Sequence, residues 1–226
     1  MKLVRTLLLT AAIASGVGYA SAQTHYASNV SLGVKGGIDL SRVTFTPSVK
    51  QNFAMGMNAG VTFRYIEENH FGLIAEVNLE QRGWSENFEE YPYEYTRTLN
   101  YVQIPFLAHI YFGRRGRFFF NAGPEIGFMI GESTSANFDY HNLSSIKDFP
   151  IRTTYQYEMA AENKVDFGIS AGLGGEFSLN KRHSIYIEGR FYYGLGNVLK
   201  SGRTENFRGS NSMSIMASIG YWFRVK

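Results

Sequence analysis

From residue 30 to the end of the chain, apolar and polar residues alternate with a period of two in eight separate stretches. That period marks a β-strand whose two faces meet different surroundings. In residues 164–179, Val165, Phe167, Ile169, Ala171, Leu173, Phe177 and Leu179 share one face, while Asp166, Gly168, Ser170, Gly172, Gly174, Glu176 and Ser178 share the other. The last stretch sets Met213, Ile215, Ala217, Ile219, Tyr221, Phe223 and Val225 against Ser214, Ser218, Gly220 and Arg224. The same reading holds for residues 30–40, 55–65, 71–82, 102–112, 118–130 and 185–195. No apolar face contains a charge. The polar faces collect Arg64, Glu76, Glu80, Arg82, Glu125, Asp166, Glu176, Glu188, Arg190 and Arg224.

The connections alternate in length as well. Residues 66–70, 113–117 and 180–183 are short, whereas 42–53, 84–98, 132–163 and 199–211 are long. Outer-membrane barrels have this asymmetry, with short periplasmic turns and long external loops. Several stretches exceed the roughly five or six residues of a typical soluble strand and reach the roughly nine to eleven that cross a bilayer at a tilt. A lipocalin-like barrel or a β-sandwich would have to bury the aromatic face and solvate the glycine-rich one. The pattern therefore predicts an all-β fold, an eight-stranded antiparallel transmembrane β-barrel over residues 29–226. Pro105 and Pro124 fall inside predicted strands, so a bulge or strand end is expected near each.

The N-terminal residues read as an address. Lys2 and Arg5 form a basic head, residues 7–14 an apolar stretch, and Ala20-Ser21-Ala22 a cleavage site before Gln23. This order predicts a signal peptide over residues 1–22, removed on export, and a short extension over 23–28. No Cys stands at the cleavage point, so no lipid anchor is expected, and a chain without cysteine gains nothing from disulfides. The formal charge of +3 falls to +1 once Lys2 and Arg5 leave, because residues 1–22 hold no acid. No basic run interleaved with aromatics suggests nucleic acid. After the signal no apolar run is long enough for a transmembrane helix. The expected location is the outer membrane.

An eight-stranded barrel has an interior just wide enough to be filled by side chains. Charges of both signs in so narrow a space should pair, because an unpaired buried charge is costly. A polar plug is the plain reading of the inward charges, a proton or ion path the sharper one, and a diffusion pore is not expected. Catalysis finds little support. His25, His70, His109, His141 and His183 are scattered, and only His109 faces the lumen from within a predicted strand. His141 with Asp139 in the longest loop could imitate the pair of an outer-membrane protease or acyltransferase, or be a solvated loop pair. No activated nucleophile, metal-ligand spacing or cofactor motif appears. Gly172, Gly174 and Gly175 lack the strand–turn–helix setting of a phosphate loop and instead make room for large neighbours or tight curvature.

The loops are where binding should be read. Residues 84–97 interleave aromatics with Glu86, Glu89, Glu90 and Glu94, and Tyr91, Tyr93 and Tyr95 are the candidate contact residues of a protein-binding surface, a weak cation site or simply a solvated hairpin. Residues 132–163 are long enough for a lid or a flap. Tyr65, Trp84, Tyr193, Tyr221 and Trp222 are expected to form the interfacial aromatic girdles. Outer-membrane lipid and lipopolysaccharide, the barrel-assembly machinery and protein partners at the external loops are the expected partners.

Four stretches resemble the PorT-like outer-membrane β-barrel family of Bacteroidota, also called the porin family. They are Gly33-Val34-Lys35-Gly36-Gly37, Tyr101-Val102-Gln103-Ile104-Pro105-Phe106, Phe120-Asn121-Ala122-Gly123-Pro124-Glu125 and the glycine-rich stretch at 165–178. The resemblance spans nearly all of the chain after the signal. It implies an eight-stranded barrel of the OmpA and OmpX kind and tolerance of the two prolines. It also implies a second role to set beside a structural or binding one, as a component of a type IX-like secretion apparatus. The end of the chain, Ser218-Ile219-Gly220-Tyr221-Trp222-Phe223-Arg224-Val225, is similar to the signal read by the barrel-assembly machinery, although Lys226 replaces the usual terminal aromatic.

Overall fold

A computed structural model describes residues 28–225. The expected signal peptide and most of the extension lie outside the described residues. Eight long strands form the wall: β1 (Asn29–Thr46), β3 (Ala54–Glu68), β4 (Phe71–Glu86), β5 (Tyr95–Gly113), β6 (Gly116–Ala136), β7 (Val165–Ser178), β8 (His183–Asn197) and β9 (Gly209–Arg224). A two-residue strand, β2 (Gln51–Asn52), adds to the upper end of β4. Each long strand pairs antiparallel with the next, and β1 pairs with β9 from Ser31↔Arg224 to Thr46↔Gly209. The sheet therefore closes on itself and leaves no edge among its long strands.

The wall is inside out relative to a soluble protein. Leu32, Val34, Met55, Val61, Phe106, Phe118, Leu173 and Ile219 are exposed on the outside, while Lys35, Asp39, Arg64, Glu76, Arg82 and Arg190 are buried within. Only a surrounding of lipid makes that distribution favourable, since backbone groups are satisfied in the closed ladder and apolar side chains face hydrocarbon.

Part-way up the strands the polarity inverts. Outward positions of β1 run Leu32, Val34, Ile38 and Leu40, then Arg42, Thr44 and Thr46; inward positions run Lys35, Asp39 and Ser41, then Val43 and Phe45. β4 does the same, passing from Glu80 and Arg82 to Trp84 inside and from Leu79 to Gln81 and Ser85 outside. Above this level the wall stands in water, so its interior buries apolar side chains as any soluble domain does. The strands extend well into the segments expected as loops at 42–53, 84–98 and 132–163. That upper storey is a barrel extension with its own core, built on Val43, Phe45, Trp84, Tyr95, Leu99, Tyr101 and Phe207. A second apolar cluster, Ile66, Ile74, Leu107, Tyr111, Phe119, Tyr186 and Trp222, fills the opposite end.

Three expectations need correction here. Trp84 is 0% and Trp222 4% exposed, so neither belongs to a girdle. Each sits on the inward parity of its strand, Trp84 two positions after Arg82 and Trp222 two before Arg224, where its ring stacks under an arginine or packs into a core. Tyr65, Tyr193 and Tyr221 do face outward, Tyr193 nearer the loop end and the other two nearer the short turns. The prolines cause neither a strand end nor a bulge. Register is the same on both sides of them, Pro105↔Glu125 and Ala108↔Ala122, and only the intervening partners drop out of the ladder. A register shift of this pair lies instead at Asn100/Tyr101, near the change of polarity.

Close packing inside explains two of the glycines. A Cβ on Gly220 would lie 2.2 Å from the Tyr186 ring, and one on Gly174 would lie 2.4 Å from the Phe119 ring. Large inward rings thus occupy the space that side chains would need. Gly172 also faces inward, whereas Gly175 opens outward.

Candidate functional site

The lumen at membrane level is filled by ion pairs. Arg190 places Nη1 and Nη2 2.8 Å from the two carboxylate oxygens of Glu76 and reaches Glu188 at 2.9 Å. Lys35 donates to Glu76 at 2.7 Å, and Asn78 does so at 2.9 Å. Asn121 links His109 to Glu188 through contacts of 2.7 and 2.8 Å. One level higher, Arg82 donates at 2.6 Å to both Glu80 and Glu125 and lies 3.8 Å from the centre of the Tyr192 ring. Asp166 accepts from the Tyr192 hydroxyl at 2.8 Å. Toward the short turns, Arg64 forms a two-point contact with Glu176 and lies 4.5 Å over the Trp222 ring. These side chains come from strands all around the ring, so the network cross-links the wall.

Nine of the ten charged residues expected in the lumen network are buried there. Arg224 differs: it is half-buried at the turn-side mouth and has no ion pair among the described residues. Lys35 and Asp39, on the same face, complete the set. Their parity in β1 gives the signal for them.

The loop-side mouth is covered. The long connection between β6 and β7 folds back over it, and its one-turn α-helix, Tyr155–Glu158, drops Gln156 and Tyr157 into the upper core. Glu86, at the tip of β4, receives Gln156 Nε2 at 2.6 Å, the Tyr157 hydroxyl at 2.8 Å and Arg152 at 2.8 Å. Arg97 donates to the Met159 carbonyl at 2.6 Å and to Glu132 at 2.7 Å. Burial pushes the Glu86 carboxyl up, against the pull of Gln156, Tyr157 and Arg152. Burial also raises Tyr157, with Glu86 adding to the effect. Tyr95 is pushed up to about 12 by burial. Glu86 lies seven positions beyond Leu79, the last lipid-facing apolar residue of β4, and so stands clear of the hydrocarbon.

Tyr95 is the clearest misplacement among the expected loop contacts. It opens β5 on the inward face, 1% exposed, and its ring lies 4.6 Å from that of Tyr157. Tyr91 is exposed at the loop tip, and Tyr93 is half-buried against Phe138 and Phe149. Around Tyr91 the loops form a pocket of about 250 Å³ whose lining includes Lys50, Phe88, Glu89, Ile151 and Arg152. Lys50 and Glu89 pair across it in the open, and the lysine holds the Glu89 carboxyl below its usual range. Arg152 stacks 4.1 Å over Phe88. Sequence reasoning did not single out Ile151 or Tyr155, because an isolated apolar residue in a loop carries no periodic signal.

Other candidates lack the geometry for chemistry. The Asp139 carboxylate accepts from the backbone amide of His141 at 3.1 Å, as in a turn, and the His141 ring packs on Tyr140. Among the described residues no group of three His, Cys, Asp or Glu is placed to hold a metal ion.

Comparison with known proteins gives one sequence match of wide extent and several distant folds. Residues 21–200 match the outer membrane protein beta-barrel domain. Among solved structures, Neisserial surface protein A superposes with a TM-score of 0.44 at 11% identity, covering 86% of this chain and 98% of that one. OprG from Pseudomonas aeruginosa gives 0.47 at 8% identity, with 86% and 95% covered. The N-terminal barrel domain of OprF from the same organism gives 0.40 at 13%, with 89% and 99% covered. No curated protein matches. The matched domain spans most of the chain, and the strands of this chain close into a ring, so this is an outer-membrane protein, and it belongs to the outer membrane protein beta-barrel domain family.

Proposed function

We propose that the chain is a non-enzymatic scaffold of the outer membrane that binds a partner through its external loops. One observation carries this reading: the loop surface is held in place from below. Glu86 and Arg97 tie the long loop to the tips of β4 and β5, and the upper core packs beneath it. Ile151, fully exposed, lines the loop pocket together with Tyr91, and Tyr155 is exposed four positions further along the same loop. Apolar and aromatic side chains displayed on a rigid base lose little entropy on association, which is the economy of a preorganised binding surface. A lumen filled by ion pairs leaves the outer face as the part free to meet other molecules. The motifs at residues 33–37, 101–106 and 120–125 support a place among the PorT-like barrels within the family.

A photo-reactive amino acid at position 151, installed in the full chain in its own membrane, tests this. A discrete adduct that is lost when Tyr91 and Tyr155 are changed to alanine is the expected result. Labelling no different from that of a probe at Thr44, on the side wall, would remove the loop surface from consideration.

A further inference from the structure

Six cations crowd one arc of the rim that carries the short turns. The β5–β6 turn bears Arg114 and Arg115, the β7–β8 turn bears Lys181 and Arg182, and Arg117 and Arg224 stand at the adjoining strand ends. The Ser178 amide donates to the Arg115 carbonyl at 2.8 Å and the Arg224 amide to the Arg182 carbonyl at 2.7 Å, so the turns form one continuous surface. No Asp or Glu occurs in residues 113–118, 178–184 or 221–225. Glu67 and Glu68 lie by the β3–β4 turn, which adjoins the arc at its β5 end, where the Tyr111 amide donates to the His70 carbonyl at 3.0 Å. The four turn cations are exposed, and none has an ion pair among the described residues.

Two further features point outward. Inside the mouth, Glu176 is the one carboxylate among the described residues near Arg64, Arg117 and Arg224, and Nε and Nη1 of Arg117 are buried with no hydrogen-bond partner among them. Among the described residues, therefore, the inward carboxylate does not balance these cations. The turn cations also stand at a defined height. Arg114 follows lipid-facing Phe112 by two positions, and Lys181 follows lipid-facing Leu179 by two. At about 3.3 Å per residue along a tilted strand, that places them roughly 5–7 Å beyond the last hydrocarbon contact, in the headgroup layer. The Arg115 guanidinium lies 5.5 Å from the centre of the Phe177 ring, itself exposed to lipid, in the posture of a side chain reaching from hydrocarbon to phosphate.

Short turns of outer-membrane barrels face the periplasm. We propose that this arc is a binding collar for the phosphate groups of anionic phospholipids in the inner leaflet, one that fixes the depth and tilt of the barrel. Juxtamembrane cations gain favourable energy from an anionic surface one by one, and here they are gathered on one side. The lipid is favoured over a soluble acidic partner because the cations continue the lipid-facing rows of Phe112, Phe177 and Leu179 and are not set apart from them.

The test uses the full chain reconstituted in nanodiscs of equal parts phosphatidylethanolamine and phosphatidylglycerol, with retained lipids counted by native mass spectrometry. The wild type should retain phosphatidylglycerol in preference, by on the order of tenfold. The R114Q/R115Q/K181Q/R182Q variant should fall to near parity, and the R114Q/R115Q and K181Q/R182Q pairs should fall between. A K200Q/R203Q/R208Q control, which removes as many as three cations at the opposite end, should keep the preference. Heat-modifiable migration shows that each variant is folded. Parity in the wild type, or undiminished preference in the folded pair variants, would overturn the proposal. So would capture of an acidic periplasmic protein through these arginines with lipid retention at parity.

Discussion

The Tyr157 hydroxyl donates to the Glu86 carboxylate at 2.8 Å and so ties the middle of the longest loop to the tip of β4. Burial raises the Glu86 carboxyl above its ordinary value of 4.5, so the closed lid holds a proton more tightly than the open one. The sign follows. Closure gains this contribution fully at pH below the open-state value and loses it as the pH rises through the raised value. Amide exchange across residues 153–161, corrected for intrinsic rates, should be slower at acid than at alkaline pH. E86Q should flatten that dependence. Faster corrected exchange at acid pH would show that the ion pair with Arg152, and not burial, governs the lid.

Arg82 stands between Glu80 and Glu125 with Asp166 at 3.6 Å. Arg82→Met leaves buried carboxylates without their cation, at a cost of about 3–5 kcal/mol. Urea unfolding in lipid vesicles measures it. A loss below about 1 kcal/mol would mean that water, not Arg82, satisfies those carboxylates.

Gly220→Ala puts a methyl where the Tyr186 ring lies. The ring must move within a packed cluster that includes Trp222, and overpacking of this kind costs about 1–3 kcal/mol. Pairing it with Tyr186→Leu should restore most of the loss. A neutral single substitution would show the interior to be looser than described.

Both tryptophans of the chain are inward. Brominated acyl chains should therefore quench the intrinsic fluorescence little, whereas a tryptophan introduced at Phe118 should be quenched strongly. Strong quenching of the wild type would return Trp84 or Trp222 to the lipid face.

Much of the wall was legible because the physics of a barrel is local. Lipid outside and polar side chains inside impose period two, and nothing else in the chain competes with it. The same parity placed Arg64, Glu76 and Arg190 inward before any partner was visible. It also placed Trp84 and Trp222 inward, yet expecting tryptophan at membrane interfaces overrode the alternation. The upper storey was hidden for a physical reason. Once the outside is water, strands such as β5 from Tyr95 to Leu99 bury aromatics on the inward face, and the stretch reads as an aromatic-rich loop. The Glu86–Arg152–Tyr157 latch joins positions far apart in the chain and leaves no local trace. The prolines misled because a missing donor need not shift the register when the partners on either side stay paired.

A barrel that serves as a scaffold and not as a conduit passes no current. Single-channel recording of the full chain in planar bilayers tests it most directly. The folded wild type should give no resolvable conductance steps, because ion pairs such as Arg190–Glu76 block the lumen below a covered mouth. Stable, reproducible steps from that protein would contradict it.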